Sequence, residues 1–304
     1  MLRLDDLALF VNTADHGSLS AAARKLDVSP AVASAALKRL EQQLDTRLFV
    51  RSTRSLRLTP EGEQFLAHAR NALESLAQGQ RQLAGGREDI GGVLQLSAPS
   101  DFGRNVLLPW LDEFQREHPR LSLRLHLSDR VADLFRQSVD IAIRYGEPED
   151  SSLVALPLAA ANRRVLCASP DYFARHGRPR QPEDLAAHNC LLYQLGGRVH
   201  DRWSFSDGRR EQRVTVTGNR ACDDADVVRR WALAGQGLTY KSWLDVADDI
   251  QAGRLELALP QYRGEATPLN LICAHRAQLS KPVRLLREFV QARCAMLLVG
   301  APWG

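Results

Sequence analysis

At 304 residues the chain is too long for one ordinary core, so two or three domains are expected. With 44% hydrophobic and 25% charged residues it reads as globular, and no apolar run reaches the ~18 residues of a spanning helix, so no membrane partner is expected. A formal net charge of +4 excludes a polybasic tail but leaves room for a local basic patch.

The N-terminus, MLRLDDLALF, sets two aspartates ahead of its apolar residues. A secretory signal has the reverse order, so a cytoplasmic location is expected. Leu4, Leu7, Phe10, Val11 and Ala14 recur at helical spacing and predict a first helix ending at His16-Gly17. Ser18 suits the N-cap of a short second helix in SLSAAARKL, whose small residues let another helix approach closely. Asp27-Val28 leaves room only for a tight turn. Ser29 then caps a third helix, and Pro30 fits its first turn, where a missing N–H costs no bond.

An α-helix turns about 100° per residue. On the third helix this puts Ala33, Leu37, Leu40 and Leu44 on one stripe, which predicts its buried side. Ala31, Ser34, Ala35, Lys38 and Gln42 fall on the opposite, outward side. A helix, a tight turn and a capped second helix form the helix-turn-helix pattern, in which the second helix presents its N-terminal residues to the major groove. Small side chains there permit close approach, and an alanine methyl can meet a thymine methyl.

TRLFVRSTRSLRLTPEG follows. Leu48 to Val50 and Leu56 to Leu58 predict two short strands, with Arg51 to Ser55 as the turn of a wing. From Lys38 to Arg57 there are six basic residues (Lys38, Arg39, Arg47, Arg51, Arg54, Arg57) against Glu41 and Asp45. That local excess equals the +4 of the whole chain. A compact basic surface beside a small-residue helix suits phosphate contacts that position and a few base contacts that specify.

Thr59-Pro60-Glu61 predicts the start of a helix running to about Ala84. Leu66, Ala69, Leu73, Leu76, Gln80 and Leu83 form a heptad seam along it, for which the expected cover is the same helix of a second chain. Packing on the chain's own domain is the other reading. A dimer would set two recognition helices on one face of a duplex, so a partly palindromic site is expected. Gly85-Gly86 and Gly91-Gly92 bracket a flexible joint.

After Gly92 the texture changes. VLQLS, LSLRLHLS, DIAIRYG and RRVLCAS predict strands, separated by helical stretches such as NVLLPWLDEFQREH and RVADLFRQSV. Such alternation implies a parallel or mixed sheet with helices on both faces, whose ligands sit beyond strand C-termini and at helix N-termini. The strand ends offer Ser100, Asp101 and Phe102, then Ser128 and Asp129, then Arg144, Tyr145 and Gly146. Beyond VTVTGN they offer Cys222, Asp223 and Asp224, ahead of a helix DVVRRWALAGQG and a strand LTYKSW. Ser100, Ser128, Arg144, Tyr145 and Cys222 are the polar candidates for a cleft between two lobes. Asp101, Asp223 and Asp224 either cap helices or turn the cleft away from strongly anionic ligands.

The chain has no GxSxG, HExxH or Walker loop and no GxGxxG after a strand, and its eight histidines have no ligand spacing. No catalytic residue, metal or cofactor is assigned, and the cleft reads as a sensor for a small molecule. The five cysteines are odd in number, scattered and without a CxxC pair, which argues against a zinc site or a disulfide framework. They read as small buried hydrophobes, with a redox-sensing thiol as the minority alternative.

On these residues the chain closely resembles a LysR-type transcriptional regulator. GSLSAAARKLDVSPAVASAALKRLEQQLDTRLFVRSTRSLRLTPEGEQFL carries the N-terminal resemblance. LSAPSDFGR, LPWLDEFQREHP, LSDRVADLFRQSVDIAIRYG and ALAGQGLTYKSW extend it to essentially the full chain. The resemblance implies a multidomain fold: an all-α winged helix-turn-helix over 1–58, a linker helix and hinge over 59–90, and a two-lobed α/β effector domain over 91–304 like type II periplasmic binding proteins. Lobe I would span about 91–161 and 267–304, and lobe II about 162–266. It implies a homodimer through the linker helix, usually a dimer of dimers, whose small-molecule effector alters DNA bending and recruitment of RNA polymerase. It places DNA contacts at Ser29, Pro30, Ala31, Ser34, Ala35 and Lys38, with the wing at Arg51, Ser52, Thr53 and Arg54. It places the effector cleft at Ser100 to Phe102, Ser128, Arg144 to Gly146 and the region of Cys222 and Asp223.

Two positions depart from the family pattern. The turn usually carries glycine where this chain has Asp27, but aspartate tolerates a left-handed backbone and should keep the turn. Position 35, often Arg or Lys, is Ala here, which removes a long donor and gives shape readout more weight. Two other readings of the C-terminal pattern stay open: a transporter's solute-binding protein, and a two-lobed α/β enzyme.

Overall fold

The computed structural model describes residues 2–51, 56–83, 90–129, 139–148, 153–273 and 279–303. They divide into two compact units, Met1–Glu88 and Asp89–Gly304.

In the first unit, α1 (Leu4–His16) buries Leu7, Leu9 and Phe10 and ends at Gly17, which takes the left-handed conformation at φ 61°. Ser18 caps α2 (Leu19–Lys25) by accepting a hydrogen bond from the Ala21 N–H. The alanines of α2 allow the close approach expected of them, with Ala22 and Ala23 fully buried. The turn to α3 (Pro30–Gln43) is closed by Asp27 at φ 53°, the left-handed backbone that aspartate was expected to supply. On α3 the stripe Ala33, Leu37 and Leu40 is buried together with Ala36, and Leu44 packs at its edge.

The strands β1 (Phe49–Arg51) and β2 (Leu56–Leu58) pair antiparallel, with Val50 opposite Arg57. β1 starts one residue later than expected. Glu41 on α3 fixes it, accepting from the Leu48 N–H at 2.9 Å and the Phe49 N–H at 3.3 Å. Thr59 caps the next helix, donating its hydroxyl to the Arg47 carbonyl and accepting from the Gly62 N–H. Gly62 must be glycine for space: a Cβ there would stand 2.2 Å from the Leu48 carbonyl oxygen.

The long helix α4 (Pro60–Leu83) corrects part of the seam argument. Leu66 and Ala69 are buried, and Leu73 partly so, in the same core as Phe10 and Leu40. The chain therefore covers the first half of its own seam. Leu76, one step on, is exposed. The proposed joint residues Gly85 and Gly86 lie outside the described residues.

The second unit has two lobes, each built on a mixed sheet. β3 (Gly92–Ala98) leads into a continuous helical run of α5 (Ser100–Phe102), a π-helical turn (Gly103–Leu107) and α6 (Leu108–Glu117). The chain continues through β4 (Leu121–Leu127), β5 (Ile141–Tyr145) and β6 (Val154–Ala159), then β7 (Arg164–Ala168) and α7 (Pro170–His176). Of the expected helix RVADLFRQSV, residues 130–138 lie outside the described residues. Next come β8 (Cys190–Leu195), β9 (Arg198–Val199), β10 (Arg202–Ser206), β11 (Glu211–Thr215) and β12 (Arg220–Cys222). They are followed by α8 (Ala225–Leu233), β13 (Leu238–Ser242), α9 (Trp243–Gln251), β14 (Glu256–Ala258), β15 (Arg263–Gly264), β16 (Leu269–Cys273) and α10 (Lys281–Leu298).

The first-lobe sheet has the order β4-β3-β5-β16-β6, and the second-lobe sheet β12-β8-β13-β7-β14. Two crossings join the lobes, from β6 to β7 and from β15 to β16. Asn162, fully buried in the first crossing, donates to the Thr267 carbonyl of the second at 2.7 Å and to the Ser242 hydroxyl at 2.9 Å. One expected strand belongs elsewhere: VTVTGN falls at the end of β11, the edge of a three-stranded antiparallel sheet β11-β10-β15, and it is β12 that leads to Cys222.

Candidate functional site

The outward face of α3 is laid out as its periodicity requires. Ala31, Ala35, Lys38 and Gln42 are exposed, Ser34 is half-buried among them, and the opposite stripe is inside. Ser29 and Pro30 are exposed at the helix start, where the Ser29 hydroxyl accepts from the Val32 N–H at 3.3 Å. Val32, outside the expected set, is 55% exposed and adds a branched apolar side chain to this end of the helix. An open hollow of about 610 Å³ runs between α3 and the wing, lined by Ser34, Lys38, Gln42, Arg47 and Leu56 among others.

One member of the basic count is committed elsewhere. Arg39, half-exposed at the edge of α3, grips the buried carboxylate of Asp6 with two hydrogen bonds, at 2.8 and 2.5 Å. It ties α3 to α1 and is not part of the outward face. Lys38 and Arg57 remain exposed. Arg51 closes β1, while Ser52, Thr53 and Arg54 lie outside the described residues.

In the second unit the lobes meet across a cleft closed by direct bonds. Arg104 donates to both oxygens of Asp224 at 3.0 and 2.9 Å, and Asn105 donates to Asp226 at 2.8 Å. Tyr145 donates to Asp245 at 2.5 Å, and the Lys241 ammonium pairs with Asp101. Between them is a cavity of about 50 Å³, bordered by Asp101, Asp129, Tyr145, Tyr193, Lys241 and Asp245 among others. That is one or two water volumes, and an organic ligand of ordinary size needs the lobes to part.

Of the nine expected cleft residues, Asp101 and Tyr145 border this cavity, and Ser100 holds Asp129 at its wall. Phe102 departs from expectation. It is fully buried in the first-lobe core, edge-on to Trp110 and Tyr145. Arg144 also turns away, its buried guanidinium donating to the Ile143 carbonyl and the Ser97 hydroxyl, which braces β5 against β3. Gly146 makes a turn at φ 80° and exchanges hydrogen bonds with Pro268 and Asn270. Ser128 donates its N–H to the Ala98 carbonyl, and Asp223 is exposed. The half-buried Cys222 packs on the second-lobe core. Asp224 caps α8, accepting from the N–H groups of Asp226 and Val227.

Lys241 and Asp245 were missed, and Asp129 stood at an expected strand end without being counted among the polar candidates. Lys241 carried a signal: it is the one charge in LTYKS, a strand buried along its whole length, and a buried charge needs a partner. It has two. Burial works against the ammonium, but Asp101 and Asp245 outweigh it and hold the amine above its usual range. Arg229 also reaches Asp101, at 4.0 Å, but it is held closer by Asp249 at 2.6 Å, so the cations do not fully neutralise both carboxylates. Burial pushes Asp101 up to about 7 against the pull of Lys241, and Asp245 is raised too, so the cluster holds a proton that exposed aspartates would have lost. Burial and the neighbouring Asp245 likewise raise the Tyr145 phenol, which stays a hydrogen-bond donor.

The residues form a lock between lobes. No group of His, Cys, Asp or Glu among the described residues is placed to hold a metal ion. No described helix is long and apolar enough to cross a membrane.

Comparison with known proteins matches residues 4–63 to the bacterial regulatory helix-turn-helix of the lysR family and residues 87–295 to the LysR substrate binding domain. The HTH-type transcriptional regulator DmlR of Escherichia coli K12 is 34% identical over 290 residues, covering 95% of this chain and 93% of that protein. The HTH-type transcriptional activator TtdR of the same strain is 31% identical over 302 residues, covering 96% and 94%. Among solved structures, CrgA of Neisseria meningitidis, a LysR-type transcriptional regulator, superimposes with a TM-score of 0.61 at 30% identity, covering 95% of this chain and 98% of that one.

Proposed function

The chain belongs to the LysR family of transcriptional regulators, and from that premise we propose how its parts do the work: α3 reads the major groove, the wing holds phosphates, and closure of the second unit on a small-molecule effector sets how the protein acts at its promoter. The observation that carries the first part is the two-sided α3. Its inward stripe is buried, while Ala31, Ala35 and Lys38 are exposed with Ser34 between them. A flat face of methyls and one hydroxyl approaches base edges closely, and Lys38 supplies charge toward the backbone. Ser29, Pro30 and the wing residues Arg51, Ser52, Thr53 and Arg54 complete the contact set.

The working division is a DNA-binding domain over 1–58, a linker over 59–90 and an effector domain over 91–304. The exposed Leu76, past the self-covered half of the seam, supports pairing of α4 with its counterpart in a homodimer. Two dimers joining as a tetramer and contact with RNA polymerase complete the assembly, in the cytoplasm. Ser100, Asp101 and Tyr145 are the expected cleft residues retained for the effector. Footprinting of the purified chain on its own upstream region tests this reading. Protection of two half-sites one helical turn or a multiple apart is expected. Protection of no fragment contradicts it.

A further inference from the structure

Alternation along β10 gives the small sheet β11-β10-β15 two unlike faces. Trp203 and Phe205 point into the second-lobe core, and Trp203 also borders the closed cavity of the cleft. Arg202, Ser204 and Ser206 point the other way, as the two-residue period of a strand requires. The register sets Arg213 of β11 opposite Ser204 and Arg263 of β15 opposite Ser206. Arg163, in the first crossing between the lobes, reaches the same place by donating to the Gly264 carbonyl at 3.0 Å. These side chains line an open hollow of about 500 Å³ on the face of the sheet turned away from the cleft. Small-molecule sites are usually of about 300–1,000 Å³.

Four guanidiniums meet in this hollow with little negative charge to answer them. Arg163, Arg202 and Arg263 have no carboxylate partner among the described residues, and Arg213 has only a loose pairing with Glu211, at 3.8 Å between two well-exposed side chains. Glu265, the other carboxylate of the lining, is committed to His200 at 3.2 Å, to Arg164 at 3.6 Å and to the Ser204 N–H. The floor adds neutral donors. The Ser204 hydroxyl accepts from Arg213 Nε and the Ser206 hydroxyl from the Gly208 N–H, so each keeps its own hydrogen to give. Such a set fits acceptor oxygens that carry more than one negative charge and are approached from several sides. Guanidinium forks match phosphate oxygens two at a time. The Phe205 ring is buried in the core, so it offers no face to a nucleobase.

We infer that this hollow is a second ligand site, separate from the cleft, which takes a small non-aromatic phosphorylated compound through Arg163, Arg202, Arg213 and Arg263. Arg163 belongs to one crossing between the lobes and Gly264 leads into the other, so a phosphate held here braces the joint on which the lobes turn. The inference does not depend on the reading of the cleft or of the DNA-binding face.

The test uses the full-length protein and sodium pyrophosphate as probe, titrated calorimetrically beside sodium citrate and sodium chloride at equal ionic strength. The wild type is expected to bind pyrophosphate with an affinity that Arg202→Gln or Arg263→Gln lowers about tenfold or more, as loss of charge-assisted hydrogen bonds requires. Both side chains are exposed and support no core, so these variants should fold as the wild type does. Arg209→Gln and Arg210→Gln, in the turn between β10 and β11 but outside the hollow, remove the same charge and should leave the affinity unchanged. An equal loss in all four variants, pyrophosphate bound no more tightly than chloride, or citrate bound as tightly as pyrophosphate overturns the inference. So does weakened promoter binding in Arg202→Gln with pyrophosphate affinity unchanged, which would assign the surface to the phosphates of a duplex.

Discussion

The phenol of Tyr145, at the end of β5 in the first lobe, donates a 2.5 Å hydrogen bond to Asp245 of α9, whose own pairing with Lys241 anchors it to the second lobe. This bond joins the lobes through a carboxylate that burial already strains. Tyr145→Phe removes only the donor and leaves Asp245 short of a partner. It should lower stability by about 1–3 kcal/mol, the cost of orphaning a buried acceptor. Urea unfolding followed by tryptophan fluorescence measures this, and an unchanged midpoint would show that the bond carries no weight.

The cluster around Lys241 predicts a pH dependence with a definite sign. Asp101 has an ordinary value of 3.8 when unfolded and is pushed up to about 7 when folded. The folded state therefore keeps a proton the unfolded state has lost. The stability tied to that proton is fully present below about pH 4 and is lost as pH rises through 7. Thermal unfolding should show a midpoint that falls between pH 5 and pH 8. Asp101→Asn, which cannot ionise, should flatten that slope.

On α3, Ser34 is half-buried at the edge of the outward face, about 60° round the helix from Leu37 in the buried stripe. Leu37→Ser puts a hydroxyl into the buried stripe and removes a packed side chain, at a cost of about 3 kcal/mol or more. Ser34→Leu should leave circular dichroism unchanged and weaken promoter binding about tenfold or more, in line with the loss of a base contact. Identical behaviour of the two variants would overturn the assignment of faces.

Arg39 offers a complementary case. It was counted with the basic surface, yet it grips buried Asp6. Arg39→Ala should lower the unfolding temperature of the DNA-binding domain, and any loss of promoter binding should follow the fraction unfolded. Lys38→Ala should instead weaken binding with no change in melting, and should reduce its salt dependence by about one counterion.

Legibility from sequence followed the range of the interactions involved. Helical periodicity, serine caps and the Asp27 turn are local, and the helix-turn-helix was readable from them to within a residue or so. The wing was displaced by one residue because its start is set by Glu41, a contact across the turn. The seam of α4 has the right period, but period alone cannot tell a partner chain from the neighbouring α1. In the effector domain strand ends were found, but which side chain faces the cleft was not. Phe102 and Arg144 turn inward because of Trp110 and Ser97, partners remote in sequence from Arg144 and a helix away from Phe102. Asp129 and Lys241 matter only once two lobes close on each other, and no local pattern encodes that closure.

The most direct test of the account is the affinity of the purified full-length chain for its own promoter fragment and for a scrambled duplex, by fluorescence anisotropy at 50 and 200 mM salt. The account predicts a preference for the promoter of about 10³ or more. It also predicts a fall in affinity of roughly 10³ across that salt range if about six phosphates are contacted. Equal affinity for the two duplexes at both salt concentrations would contradict it.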